Sequence, residues 1–163
     1  MNGGIMHSSL GLVGASMLVL AACQAKPAPF NPDDPVAIAQ IDSVMQPAFD
    51  AARRADADKV LAMAEGPGEF TFIVGDVLLS GVAPIRESFR NTYAGLTRQD
   101  QEIITRRIRL LTPDVALWTA VGEGTYTDKA GWTSPPVGLG LTVVLVKQAG
   151  RWQALHAHQS VAF

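Results

Sequence analysis

The spacing of apolar residues changes along the chain, and each change marks an element. From Leu10 to Ala22 the run is almost wholly apolar or small, and no Asp, Glu, Lys or Arg occurs between Met1 and Ala22. From Val36 to about Arg54 apolar residues recur every three to five positions, as Val36, Ile41, Val44, Met45, Ala48, Phe49 and Ala52, which predicts an amphipathic helix. Asp33 or Asp34 before Pro35 supplies its N-cap and first-turn proline. Pro47 is expected to kink that helix or divide it. Asp56 and Asp58 then predict caps for a short second helix, Lys59 to Ala64, closed by Gly66-Pro67-Gly68.

Strand patterns follow. Phe70 to Val74 and Val77 to Leu79 read as two short strands around a turn at Asp76. Ala83 to Gly95 returns to helical spacing, with Ile85, Phe89 and Tyr93 four apart on a stripe most simply read as core. Gln101 to Leu111, Asp114 to Thr127, Gly138 to Gln148 and Arg151 to Ser160 are long strands, the last two joined through Ala149-Gly150. The order predicts an α+β domain, with about three helices on one face of a bent antiparallel sheet. No internal repeat is present.

Alternation along these strands locates the candidate chemistry. In the last strand Trp152, Ala154, His156, His158 and Ser160 are expected on one face, with Leu155 and Ala157 on the other. His156 and His158 then point the same way and are the natural general acid or base; the alternative is that they hydrogen-bond within the sheet or at a dimer contact. One face of the second long strand presents Trp118, Ala120, Gly122, Gly124 and Tyr126. Aromatics flanking glycines suit a cavity for a flat apolar ligand, or equally a bulge or bend with the aromatics in the core. In the strand before it, Arg106 shares a parity with Glu102, Ile104, Ile108 and Leu110; it is either an anion contact or an arginine snorkelling to the sheet edge. Arg107 and Arg109 form a solvated or dimer-facing strip. The loop from Asp128 to Pro136, with Trp132, either lids a cavity mouth or packs on a partner subunit.

Composition narrows the classes. The 163 residues are 48% hydrophobic and 17% charged, enough to bury the core of one domain. Thirteen basic and fifteen acidic residues, mixed in sign, give a net charge of −2, which argues against a nucleic-acid partner. A single cysteine, Cys23, excludes an intrachain disulfide framework and a thiolate metal cluster. The histidine pair lacks a third donor, since Glu123 has the opposite parity from Trp118 and Tyr126, so neither metal nor cofactor is expected. Leu20-Ala21-Ala22-Cys23 closes the N-terminal apolar run and resembles the bacterial lipoprotein signal box. The expected organisation is a signal peptide over 1–22, a lipidated tether over 23–35 with Pro27, Pro29, Pro32 and Pro35, and a folded domain over 36–163. Acylation at Cys23 implies an envelope location facing the periplasm, and Gln24 resembles the outer-membrane sorting pattern for a host with two membranes.

Several of these pieces together resemble the nuclear transport factor 2-like superfamily, in particular its SnoaL-like proteins and the association domain of calcium/calmodulin-dependent kinase II. They are Ala55-Asp56-Ala57-Asp58, Ser80-Gly81, Thr112-Pro113-Asp114-Val115-Ala116, and the ending Gly150-Arg151-Trp152 through His156, His158 and Ser160. The resemblance implies a cystatin-like, cone-shaped fold enclosing a pocket and a tendency to dimerise through the sheet. At the position where the kinase association domain carries a pocket arginine this chain has Gly122, and Asp76 is the carboxylate nearest to the steroid-isomerase position, in a motif that does not match. The functions implied are small-molecule binding, isomerase, cyclase or dehydratase catalysis, or assembly without ligand. The favoured expectation is a lipid-anchored homodimer binding a small apolar or aromatic molecule among Trp118, Gly122, Gly124, Tyr126, His156 and His158, with Arg106 as anion contact. The alternatives are an enzyme using a pocket histidine as general base and a dimerisation module.

The signal reading predicts that globomycin blocks maturation and that the mature protein carries acyl chains on Cys23. A Cys23→Ser chain should remain unprocessed, whereas an unmodified wild-type chain retaining Met1 would contradict the reading.

Overall fold

A computed structural model describes Met1 and residues 29–64, 66 and 69–162 of the chain. The expectations for the signal segment and for Cys23 lie outside the described residues. Helix α1 spans Pro35–Arg53, and a single 3-10 turn covers Ala62–Ala64. Strands β1 (Thr71–Val74) and β2 (Val77–Ser80) precede helix α2 (Val82–Tyr93). Four long strands complete the chain: β3 (Leu96–Thr112), β4 (Val115–Asp128), β5 (Val137–Gln148) and β6 (Arg151–Ala162). No helix among the described residues is long and apolar enough to cross a membrane.

Local chemistry explains the helix starts. Asp34 Oδ1 accepts a hydrogen bond from the Val36 amide at 3.0 Å, and Pro35 occupies the first turn. Gly81, with φ of 85°, precedes α2 in a conformation that costs glycine little. Helix α1 runs through Pro47 without dividing, and Pro47 lies on its exposed side. The second helix expected at Lys59 to Ala64 is not formed, so two helices rather than three cover the sheet. Asp56 Oδ1 does accept from the amides of Asp58 and Lys59, but six residues are too few to repay helix nucleation, and only the 3-10 turn survives.

The six strands form one sheet in the order β2-β1-β6-β5-β4-β3. It is mixed rather than antiparallel: β1 pairs in parallel with β6, and every other pair is antiparallel. Helix α2 carries the chain from β2 at one edge to β3 at the other, and three reversals then bring β6 back beside β1 in the same direction. The β5–β6 turn has positive φ at both Ala149 (49°) and Gly150 (77°), which suits a tight two-residue hairpin.

Two irregularities decide which side chains face the helices. Between Ile103 and Thr105 the β3–β4 register shifts, so Ile104 is an extra, exposed residue. Between Val144 and Leu145 the β5–β6 register shifts likewise: Leu145 meets Ala154 while Val144 meets His156, leaving Leu155 as the bulge. Trp152 and Ala154 therefore point inward, but beyond Leu155 the inward residues are Ala157 and Gln159. The expectation that His156, His158 and Ser160 share the face of Trp152 is corrected by this one-residue insertion, which inverts the alternation.

The inner face carries the core. Trp118, Leu145, Ile41, Phe70, Leu61 and Ile85 are almost fully buried, and Phe49 of α1 lies 5.7 Å from the Trp118 ring. At Gly122 a Cβ would stand 2.1 Å from the Glu102 carbonyl oxygen, so β3 closes onto β4 only because no side chain is there. Gly122 thus marks a close approach of the two strands beside the bulge at Ile104. Gly122→Ala should cost about 1–3 kcal/mol through overpacking against backbone, although alanine ordinarily favours a strand over glycine. Gly124→Ala, whose nearest contacts would be 3.2 and 3.3 Å, should cost less. Urea unfolding of both variants checks the order; equal stabilities would contradict the close approach.

Candidate functional site

Between the inner face and the helices lies a cavity of about 160 Å³. Each of its walls comes from a pattern already described. The apolar stripe of α1 supplies Met45, Ala48, Phe49 and Ala52, and α2 supplies Phe89 and Tyr93 from its four-residue repeat. The sheet supplies Phe72 and Val74 from β1, Leu141 and Val143 from β5, and Ala157 and Gln159 from β6. Phe89 joins the walls, stacking at 5.6 Å on Phe72 and tilting at 5.5 Å against Tyr93.

Polar groups in the lining are few and uncharged. They are the carboxamides of Gln99, Gln101 and Gln159 and the hydroxyls of Ser88, Thr92 and Tyr93. Gln99 and Gln101 reach the cavity from β3, on the far side of the bulge at Ile104. Asp100 between them accepts a hydrogen bond from Arg98 and lies 3.7 Å from Arg53 at the end of α1, which ties this part of β3 to the helix. The Arg98 hydrogen bond also holds the Asp100 carboxyl below its ordinary range. Thr92 Oγ1 donates to the Ser88 carbonyl at 2.9 Å and so is spent within α2. The Oε1 of Gln99 is buried with no hydrogen-bond partner, a state that costs about 1–3 kcal/mol unless something satisfies it. Burial raises the Tyr93 hydroxyl above the ordinary tyrosine range, so it stays protonated. No Asp, Glu, His, Lys or Arg is among the described residues of the lining.

The residues singled out from the sequence stand elsewhere. Trp118 is core beneath Phe49, and its Nε1 has no acceptor. Gly122 and Gly124 are buried against β3. Tyr126 is 38% exposed and packs edge-on with Trp132 at 5.7 Å. Arg106 does face the helix side, where Asp42 of α1 binds it at 3.0 Å, so its charge is already met. His156 and His158 lie on the outer face of the sheet. There His156 Nδ1 is 2.8 Å from Thr71 Oγ1 on the adjoining strand, and His158 stands in a shallow groove with Arg107, Thr119, Thr142 and Ser160. The two histidines are close along the strand but do not meet the cavity. No group of three His, Cys, Asp or Glu able to hold a metal occurs among the described residues.

The loop before β5 is fixed in place. Asp128 Oδ1 accepts from the amides of Ala130 and Trp132, Ser134 Oγ accepts from the Tyr126 amide, and the Ser134 amide donates to the Tyr126 carbonyl. That network pins Trp132 beside Tyr126 at the end of the sheet, and neither residue lines the cavity.

Sequence reasoning did not pick out Gln99, Gln101 and Gln159. Gln99 and Gln101 belong to a polar stretch whose inward direction is set by a bulge, and Gln159 has the parity assigned to the outer face until Leu155 is counted twice. Phe89 and Tyr93 were visible as a stripe but carried no mark separating cavity wall from core.

Comparison with known proteins agrees with this architecture. Residues 41–163 match the family described as SnoaL-like domain. No curated protein matches the chain. Among solved structures, a nuclear transport factor 2-like superfamily protein from Salmonella enterica serovar Typhimurium superposes with a TM-score of 0.68 at 16% identity, covering 79% of this chain and 93% of that one. A protein with a cystatin-like fold from Caulobacter vibrioides gives 0.63 at 21% identity, covering 77% and 89%. A ketosteroid isomerase-like protein from Erwinia carotovora atroseptica gives 0.62 at 24% identity, covering 76% and 94%. At these identities the likeness is one of fold.

Proposed function

Since the chain belongs to the SnoaL-like domain family, we propose that it is a cell-envelope lipoprotein, anchored through Cys23, whose cone binds a small uncharged apolar or aromatic molecule. The cavity supports this reading. It measures about 160 Å³ and is walled mainly by apolar and aromatic side chains. An engineered apolar cavity of about 150 Å³ in another protein takes up benzene, which sets the scale at one aromatic ring. Catalysis by a histidine general base has no support in the lining, because a base must come within hydrogen-bond reach of the proton it takes. A module without ligand would be expected to fill its cone.

A neutral ring such as toluene should therefore raise the melting temperature of the protein. Mass action gives about 2.7 kcal/mol at a hundredfold excess over Kd. Ala157→Leu or Ala157→Phe, which fill the space from β6, should abolish the shift, while His156→Ala and His158→Ala should keep it. Retention of the shift in both filled variants, or its loss on His158→Ala, would refute the reading.

We further propose that the protein acts as a homodimer through the outer face of the sheet. At one end of that face Glu102 sits directly opposite Glu123, an arrangement that is unfavourable in isolation. At the other end, ~13–20 Å along the strands, Arg107 and Arg109 lie opposite Thr119 and Leu117. Val121 between them is 56% exposed. A second copy related by a two-fold axis sets each acidic end on its partner's basic end. Sedimentation of the wild-type chain should give a dimer, and Glu123→Arg should shift it towards monomer. A wild-type monomer at tens of micromolar, or an unaffected Glu123→Arg dimer, would overturn this assembly.

A further inference from the structure

The chain is fastened to the folded domain before α1 begins. The Leu110 amide of β3 donates to the Pro32 carbonyl at 2.9 Å, and β3 is an edge strand, so Pro32 lies along the free edge of the sheet. The end of the proline-rich segment is therefore part of the domain, and the chain joins it at one corner, where the end of β3 meets the start of α1. That corner is apolar. Phe30, two residues before Pro32, is 49% exposed, and Val36, in the first turn of α1, is 64% exposed. A further shift in the β3–β4 register, between Leu110 and Thr112, makes Leu111 an extra residue, and it is 52% exposed. Single exposed apolar residues need no explanation, whereas three bulky ones at one corner mark a surface that something covers. The described charges at this end of the sheet and helix are balanced: Asp33, Asp34 and Asp114 stand against Arg109, Lys147 and Arg151.

We propose that the corner carrying Phe30, Val36 and Leu111 is where the domain meets a lipid bilayer. The contact rests on the acylation of Cys23 proposed above. Phe30 follows Cys23 by seven residues, which span at most ~25 Å when fully extended. An acylated Cys23 thus holds this corner beside the membrane whichever way the domain turns. Apolar groups kept there gain by leaving water for the boundary between headgroups and acyl chains. Balanced charge neither draws the corner to an anionic surface nor repels it. The arrangement also suits a homodimer through the outer face, because a two-fold axis running across the strands leaves the β3 edges of both copies on one side. The α1 residues of the cavity, from Met45 to Ala52, begin ~15 Å along the helix from Pro35 and stand clear of the lipid.

Methyl NMR of the full acylated protein in phosphatidylcholine nanodiscs doped with a gadolinium-chelate lipid tests the contact. The methyl signals of Leu111 and Val36 should broaden several-fold more than those of Val77 and Leu78, which are also exposed but lie on β2 at the opposite edge of the sheet. Leu111→Asp should leave the protein anchored and bring Val36 down to the level of Val77; Phe30→Asp should do the same if the change within β3 disturbs its fold. Added phosphatidylglycerol should leave the ratio unchanged. Equal broadening at Leu111 and Val77 in the acylated protein, an unchanged Val36 signal in both variants, or preferential broadening only with phosphatidylglycerol overturns the apolar contact while leaving the anchor intact. A mature chain without acyl groups on Cys23 overturns both.

Discussion

The backbone of β3 passes so close to Gly122 that a methyl group there would lie 2.1 Å from the Glu102 carbonyl oxygen, and the shape of the inner face depends on that approach. With a side chain at Gly122 the two strands would have to part. Two residues after Glu102, the extra Ile104 takes up the mismatch between the paired strands. Because of that bulge, Gln99 and Gln101 face the cavity together with the helices, although Arg106, Ile108 and Leu110 further along β3 also face inward. A second bulge at Leu155 does the same for β6, and exchanges the histidines for Ala157 and Gln159 on the inner side.

These two insertions divide the molecule chemically. The cavity between the inner face and the helices is lined, among the described residues, by aromatic and aliphatic groups with carboxamides and hydroxyls, and the one charge on that side described above, Arg106, is paired with Asp42 of α1. The outer face collects the polar and charged residues: two histidines, a row of threonines, an acidic end and a basic end. Placing charge outside avoids the cost of desolvating it. Among the described lining residues Tyr93 is the titratable group, and its burial keeps the hydroxyl protonated.

Much of this fold was legible from local chemistry. The Asp34-Pro35 helix start, the Ile85, Phe89 and Tyr93 stripe, the glycine before α2 and the Ala149-Gly150 hairpin are short-range signals, and each lies where the pattern put it. The SnoaL-like relationship was visible in the same punctuation and in the chain's ending. What eluded the sequence is set by pairing between distant segments. The parallel contact of β1 with β6 depends on how α2 crosses the sheet. The bulge at Leu155 depends on the register against β5, and an alternation rule applied to Trp152 through Ser160 has no term for it. The structure shows the bulge in the burial of both Ala154 and Ala157, three apart, a spacing that a regular strand cannot bring to one face. The site residues followed the same error, since a single miscounted position moved the histidines into the cavity and Gln159 out of it.

On the proposed function, the working surface of this protein is the inner face, with the outer-face histidines apart from it. Intermolecular nuclear Overhauser effects from a saturating neutral ring compound test this most directly. Contacts are expected from the ligand to the methyl groups of Ala157, Leu141 and Val143 and to the ring of Phe89, with none to the imidazoles of His156 or His158. Contacts to either imidazole, with the Ala157 methyl silent, would contradict it.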